Sequence, residues 1–158
     1  MSLAARTSTE GAEVNALLDA AHVPLAVSAA AAALAGAGLV VALLGLQNVT
    51  LVSWIGLYAL LPWTLLLLGV AGIFVAAKLM HARRWTIAPA LALAILLALG
   101  SIGFFVVASL SAVFTPLSLI GIGGGITAIV FVALAWKPFR RVADTRRRLR
   151  DAGFDLDL

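Results

Sequence analysis

Two long stretches without a single charged residue most strongly limit what this chain can fold into. Neither the stretch from Pro24 to Ala77 nor that from Trp85 to Trp136 contains Asp, Glu, Lys or Arg, whereas an average soluble domain has about 25% of these residues. Because a helix needs about 20 apolar residues to cross a membrane core of roughly 30 Å, each stretch is long enough for two crossings. The sequence therefore predicts four transmembrane helices.

A short polar or turn-rich patch divides each stretch near its middle. The patches are LQNVTLVS, from Leu46 to Ser53, and SLSAVFTPLS, from Ser109 to Ser118. The predicted fold is an all-α membrane protein whose four transmembrane helices form an antiparallel bundle over residues 24–136. The predicted helices cover about 24–46, 53–77, 86–109 and 116–136.

Basic residues border only some of the predicted helix ends. One group lies between the second and third helices, and a second group follows the fourth helix. Lys and Arg near helix ends are retained in the cytoplasm, so both termini and the middle loop are predicted to be cytoplasmic. We expect these residues to contact anionic lipid headgroups or a partner protein: Lys78, Arg83, Arg84, Arg140, Arg141, Arg146, Arg147 and Arg148.

Both ends of the chain are predicted to form short amphipathic helices in the cytoplasm. In segment 1–23, apolar residues recur at helical spacing: Val14, Leu17, Leu18 and Ala21. This segment is expected to lie on the membrane surface or to dock on a partner. Segment 137–158 predicts a basic helix with Pro138 near its start, followed by an acidic tail. Its function is either to fix the orientation of the chain or to dock on anionic lipid or a partner.

The stretch GIGGGITA, from Gly121 to Ala128, has four glycines within five residues. A phosphate-binding loop would need a preceding strand, but these glycines lie inside a hydrophobic segment that begins at Pro116. Close helix packing is the favoured interpretation, because small residues let helices approach each other in lipid; a hinge and a pore wall are the alternatives. The packing prediction covers Gly121, Gly124, Gly125 and Ala128, and similar small faces at Ser28, Ala32, Gly36, Gly72, Ala76, Ala90, Ala94 and Ala98.

Pro62 falls inside the second predicted helix and is expected to kink it. The sequence predicts no catalytic, cofactor-binding or metal-binding residues. Ionisable side chains are missing from the predicted spans, the chain has no cysteine, and its two histidines, His22 and His81, lie near the cytoplasmic rim. The sequence therefore predicts a protein without enzymatic activity.

The function predicted from these features is a non-catalytic accessory or assembly subunit of a larger membrane complex. The alternative is a homo-oligomeric pore of the holin type, or a facilitator for an uncharged or lipid-like substrate. Expected partners are anionic lipid headgroups and other membrane subunits or further copies of the chain, but not nucleic acid. The short predicted loops and the composition rich in Ala and Arg favour a prokaryotic inner membrane.

Overall fold

A computed structural model describes residues 23–52, 60–81, 85–110 and 116–151. This part of the chain is all-helical. Each helix contains a window long and apolar enough to cross a membrane, with a mean hydropathy between 2.2 and 2.6. These four candidate spans support an integral membrane protein. The helices are α1 (Leu25–Val52), α2 (Leu60–Met80), α3 (Ile87–Leu110) and α4 (Pro116–Asp151).

Prolines mark the starts of the first and last helices. The Pro24 carbonyl accepts hydrogen bonds from the backbone N–H groups of Val27 and Ser28, at 2.9 and 3.2 Å. Pro116 is the first residue of α4, a position where its missing N–H costs nothing and its fixed φ angle suits the helix. These two boundaries lie within one residue of those predicted from the sequence.

The first helix extends past the patch that was expected to end it. α1 continues to Val52, six residues beyond the predicted end at 46. The amide group of Asn48 donates a hydrogen bond to the Leu44 carbonyl at 2.7 Å, and the Asn48 side chain is buried. Because this polar side chain is satisfied within its own helix, the patch does not interrupt the helix.

The basic helix predicted with Pro138 near its start is the C-terminal part of the fourth helix and not a separate element. α4 is one continuous helix of 36 residues that includes Pro138. Proline removes one backbone N–H from a helix interior, but the following turn stabilises the helix by burying apolar side chains. Phe139 is fully buried, and Val142 and Ala143 are buried beside it. The hydrophobic core therefore continues past the last predicted span.

Pro62 lies in the first turn of α2 as the structure describes it. The backbone N–H groups of a first turn have no acceptor inside their helix, so proline removes no internal hydrogen bond at this position. The kink expected at Pro62 stays a prediction. Segment 1–22, Arg83, Arg84 and the tail 152–158 lie outside the described residues.

The first helix is the most central of the four and contacts each of the other three. α1 packs most extensively on α2, α4 packs on both α1 and α3, and α2 and α3 share a smaller contact. The α1 span is half buried, a larger share than in the other three helices. The largest fully buried side chains come from all four helices and include Leu34, Leu44, Leu79, Leu97, Val132 and Phe139.

Candidate functional site

Three glycines form the contact between α1 and α2. A Cβ atom placed on Gly38 would lie 2.7 Å from the Gly69 carbonyl oxygen, and one placed on Gly69 would collide with the Gly38 oxygen and the Ala42 backbone. A Cβ on Gly45 would lie 2.6 Å from the Pro62 oxygen. Since these neighbours are backbone atoms, the two helices approach as closely as glycine permits. Gly38, Gly45 and Gly69 are not among the packing residues predicted from the sequence.

The predicted small residues of α2 and α3 lie inside the protein. A Cβ on Gly72 would lie 3.1 Å from a Leu97 methyl group and 3.4 Å from the Gly38 Cα atom, so Gly72 sits where α1, α2 and α3 meet. The remaining members of this predicted set are all buried: Ala76, Ala90, Ala94 and Ala98.

The glycine-rich stretch of α4 packs against α3. A Cβ atom on Gly125 would lie 2.8 Å from the Ala98 Cα atom, and one on Gly121 would lie 2.6 Å from the Ser101 Oγ atom. The Ser101 hydroxyl is fully buried and donates to the Leu97 carbonyl at 2.9 Å. Gly121 thus leaves the space that this hydroxyl occupies.

The same stretch also contacts α1 through a different face. A Cβ on Gly124 would lie 3.5 Å from the Ala37 Cα and Cβ atoms, an ordinary van der Waals contact. A Cβ on Gly121 would lie 3.8 Å from a Val40 methyl group. Ala128, one turn further along α4, is fully buried. All four predicted residues of the glycine-rich stretch are therefore partly or fully buried among α1, α3 and α4.

The predicted small face of α1 points away from the other described helices. Ala32 and Gly36 are exposed, and a Cβ on Gly36 would meet nothing within 4 Å. Ser28 is half-buried, and its hydroxyl donates to the Leu25 carbonyl at 2.9 Å. Ala32 and Gly36 therefore do not pack between the described helices. Gly38 and Ala42, on another side of α1, make the close contact with α2 instead.

Two further glycines share this open environment. Gly103 in α3 and Gly123 in α4 are exposed, and a Cβ at either position would meet nothing within 4 Å. Thr127 is exposed one turn after Gly123, and its hydroxyl donates to the Gly123 carbonyl at 2.8 Å. Glycine lowers helix stability by up to about 1 kcal/mol relative to alanine, and the contacts described within this chain do not explain that cost at these positions.

Polar side chains along the helices are satisfied locally. The hydroxyls of Thr64 and Ser109 donate to carbonyls three and four residues earlier, at 2.7 and 2.8 Å, as those of Ser101 and Thr127 do. Among the described residues, every buried side-chain nitrogen or oxygen has a hydrogen-bond partner, and no group of three His, Cys, Asp or Glu side chains is placed to bind a metal.

The basic end of the protein, defined here by Lys78 and α4 from Lys137 onward, carries the cationic side chains of the described residues. The Lys78 ammonium lies 5.5 Å from the Phe74 ring centroid, and the Arg140 guanidinium lies 5.3 Å from that of Trp136. These distances permit cation–π attraction. The aromatic rings and cations form the interfacial pairing that is typical of membrane boundaries.

One residue of the basic end ties α4 to the loop after α2. Arg146 donates a hydrogen bond from Nη1 to the His81 carbonyl at 3.3 Å. Arg147 also takes part in an interaction, whereas Arg141 and Arg148 line an open groove beside the start of α1. Among the basic residues of α4 that were predicted to contact lipid or a partner, Arg146 thus binds the loop after α2, whereas Arg141 and Arg148 line the groove.

This groove, called the basic groove below, has a volume of about 830 Å³. Pro24, just before α1, lines one part of it, and the other described lining residues belong to the C-terminal part of α4. Its described lining residues are Pro24, Lys137, Pro138, Arg141, Val142, Asp144, Thr145 and Arg148.

Comparisons with protein-family models, curated proteins and solved structures found no match to this chain.

Proposed function

We propose that this protein is a non-catalytic subunit of a larger membrane complex and that it holds a transmembrane helix of a partner protein. The observation that carries the proposal is the pair of exposed glycines, Gly36 and Gly123, on neighbouring helices. Helix association in lipid depends on close van der Waals packing, for which small residues provide room. Neither glycine is used by the described helices.

The order of contacts supports an antiparallel arrangement of α1 and α4. Along α1, Ala37 precedes Val40, whereas their neighbours on α4 follow the reverse order: Gly124 lies near Ala37, and Gly121 near Val40. The α1–α2 contact has the same property, because Gly38 meets Gly69 and Gly45 meets Pro62. We infer an antiparallel four-helix bundle from these registers.

Gly36 and Gly123 then lie on the same side of the α1–α4 pair. Each precedes a residue of the Ala37–Gly124 contact by one position, and one position is a rotation of about 100° around a helix. In antiparallel helices, these rotations turn both glycines toward the same outer face. We call this face the α1–α4 notch and define it by Ala32, Gly36, Gly123 and Thr127, all of which are exposed.

The polar groups of the described residues also support a subunit that catalyses no reaction itself. The hydroxyls of Thr64, Ser101 and Thr127 each donate to a carbonyl of their own helix. No acidic or basic residue lies between Pro24 and Ala77 or between Trp85 and Trp136, although proton and ion pathways normally require such groups at depth. We propose that catalysis or transport belongs to the partner.

The proposed orientation places both termini in the cytoplasm of a prokaryotic inner membrane. Lys78 and the basic end of α4 support this orientation, because positively charged flanks are retained on the cytoplasmic side. The α1–α4 notch then lies within the membrane, about 16 Å along α1 from Leu25, since Gly36 is eleven residues further on.

Leucine substitutions at the open glycines test the proposal. Gly36→Leu and Gly123→Leu fill the notch, and we expect both to abolish co-purification of a stoichiometric partner from gently extracted membranes. Gly103→Leu is the matched control, because Gly103 is equally open but lies on α3. We expect this control to retain the partner, and all three variants to remain folded and to leave ion leak unchanged.

Two results would contradict the subunit proposal. One is a partner that is retained by both notch variants or lost equally with Gly103→Leu. The other is a homo-oligomer without foreign chains whose ion leak in liposomes changes with Gly36→Leu, which would favour the holin-like pore or facilitator.

A further inference from the structure

The basic groove carries an excess of positive charge at the rim of the membrane. Its described lining has three basic residues, Lys137, Arg141 and Arg148, and one acidic residue, Asp144. The formal excess is therefore two positive charges, three minus one. Within the part of the chain that the structure describes, none of the three basic side chains forms an ion pair. An anion in this groove would not have to displace a described internal partner.

The groove lies at the level expected for lipid headgroups. Trp136 directly precedes Lys137, and its ring lies beneath the Arg140 guanidinium, so this part of α4 has the aromatic and cationic residues of a membrane interface. Lys137 and Arg141 are one turn apart, which is about 6 Å along the helix axis. Each headgroup layer of a bilayer is about 5–8 Å thick, so both side chains reach the phosphate level.

The wall of the groove combines these cations with an apolar surface. Pro24, Pro138 and Val142 line it beside the basic side chains, and Val142 is buried. Arg141 and Arg148 each present a planar guanidinium group, which matches two phosphate oxygens at once, whereas Lys137 supplies a point charge. This combination suits a molecule with a phosphate and an adjoining apolar part.

We propose that the basic groove is a specific binding site for the headgroup of an anionic phospholipid. Lys137 and Arg141 hold the headgroup phosphates, and the apolar wall contacts the glycerol and the first acyl carbons. Arg148, about 10 Å further along α4, adds to the positive potential of the groove. The excess of two positive charges favours a lipid with two phosphodiesters over a lipid with one. This inference goes beyond the proposed subunit role and does not depend on it.

Adjacent arginines provide a charge-matched test. The full-length protein is reconstituted in nanodiscs of phosphatidylcholine that contain either cardiolipin, with two phosphodiesters, or phosphatidylglycerol, with one, at equal total charge. Retained lipid is counted by native mass spectrometry. We expect one cardiolipin per chain and preferential retention over phosphatidylglycerol. Arg141→Gln should weaken retention about five-fold, from about 1 kcal/mol per basic residue.

Arg140→Gln removes the same charge one residue away and outside the described lining of the groove, so we expect it to weaken retention less than Arg141→Gln does. Asp144→Asn removes the acidic side chain of the lining and should strengthen retention. Both arginines are exposed, so neither substitution should alter the helical content, which circular dichroism measures.

Several outcomes would overturn the proposal. Equal weakening by Arg140→Gln and Arg141→Gln would indicate general surface attraction instead of a site. Equal retention of the two lipids would contradict the assignment of a headgroup with two phosphates. Displacement of bound lipid by millimolar inorganic phosphate would reassign the groove to a soluble anion.

Discussion

Gly125 is the position where a single methyl group should most clearly separate close packing from an open surface. A Cβ atom there would lie 2.8 Å from the Ala98 Cα and Cβ atoms and 2.9 Å from the Ala98 nitrogen. Carbon atoms pack best at about 3.5–4.0 Å. The Gly125→Ala variant therefore requires α3 and α4 to separate by about 0.7 Å, because these Ala98 atoms cannot rotate away.

The expected free-energy change follows from two opposing contributions. Inserting a methyl group into a close-packed contact costs about 1–3 kcal/mol, and we take about 2–3 because the obstructing atoms have no rotamer freedom. Replacing glycine with alanine returns up to about 1 kcal/mol of helix stability. Gly125→Ala should therefore lower the free energy of unfolding by about 1–3 kcal/mol.

Gly123→Ala is the control for this measurement. Gly123 lies two residues away in the same helix, and its added Cβ would meet nothing within 4 Å. Only the helix propensity changes, so the purified variant should be up to about 1 kcal/mol more stable than the wild type. Both free energies are measured by reversible unfolding in mixed micelles of mild detergent and sodium dodecyl sulfate. If the two variants differ by less than about 0.5 kcal/mol, the close contact between α3 and α4 at Gly125 is refuted.

Two further predictions concern the last helix and the orientation. Pro138→Ala should raise the free energy of unfolding by about 1–3 kcal/mol in the same assay, because it restores a backbone N–H inside α4. An unchanged or lower stability would contradict a helix that continues through Pro138. The chain has no cysteine, so a single cysteine introduced at Arg140 or Ser109 reports the location of that residue alone. A membrane-impermeant maleimide should label Arg140→Cys only from the cytoplasmic side and Ser109→Cys only from the outside. The reverse labelling would contradict the proposed orientation.

The positions of the helices could be predicted from the sequence because charge is so unevenly distributed. α3 was expected at 86–109 and is Ile87–Leu110. The misplaced boundaries have local causes that composition does not reveal. Asn48 satisfies its amide on the Leu44 carbonyl, and Phe139 becomes buried just after Pro138. A polar residue or a proline ends a helix only when the tertiary structure does not compensate for it.

The packing face of α1 could not be chosen from the sequence. Ala32 and Gly36 are spaced four apart, and so are Gly38 and Ala42, so both pairs satisfy the same small-residue pattern. Only the position of Gly69 on α2, which faces Gly38 and Ala42, decides which pair is used inside the chain. The basic groove was equally hidden, because Pro24 and Arg141 are far apart in the sequence and meet only when α1 and α4 pack.

The most direct test of the α1–α4 notch is the mass of the particle that is extracted gently from the native membrane, with every chain in it identified, for the wild type and for Gly36→Leu. We predict a wild-type particle that contains a stoichiometric foreign membrane protein and a Gly36→Leu particle that has lost it. A wild-type particle built only from copies of this chain, or a foreign partner that survives Gly36→Leu, would contradict the account.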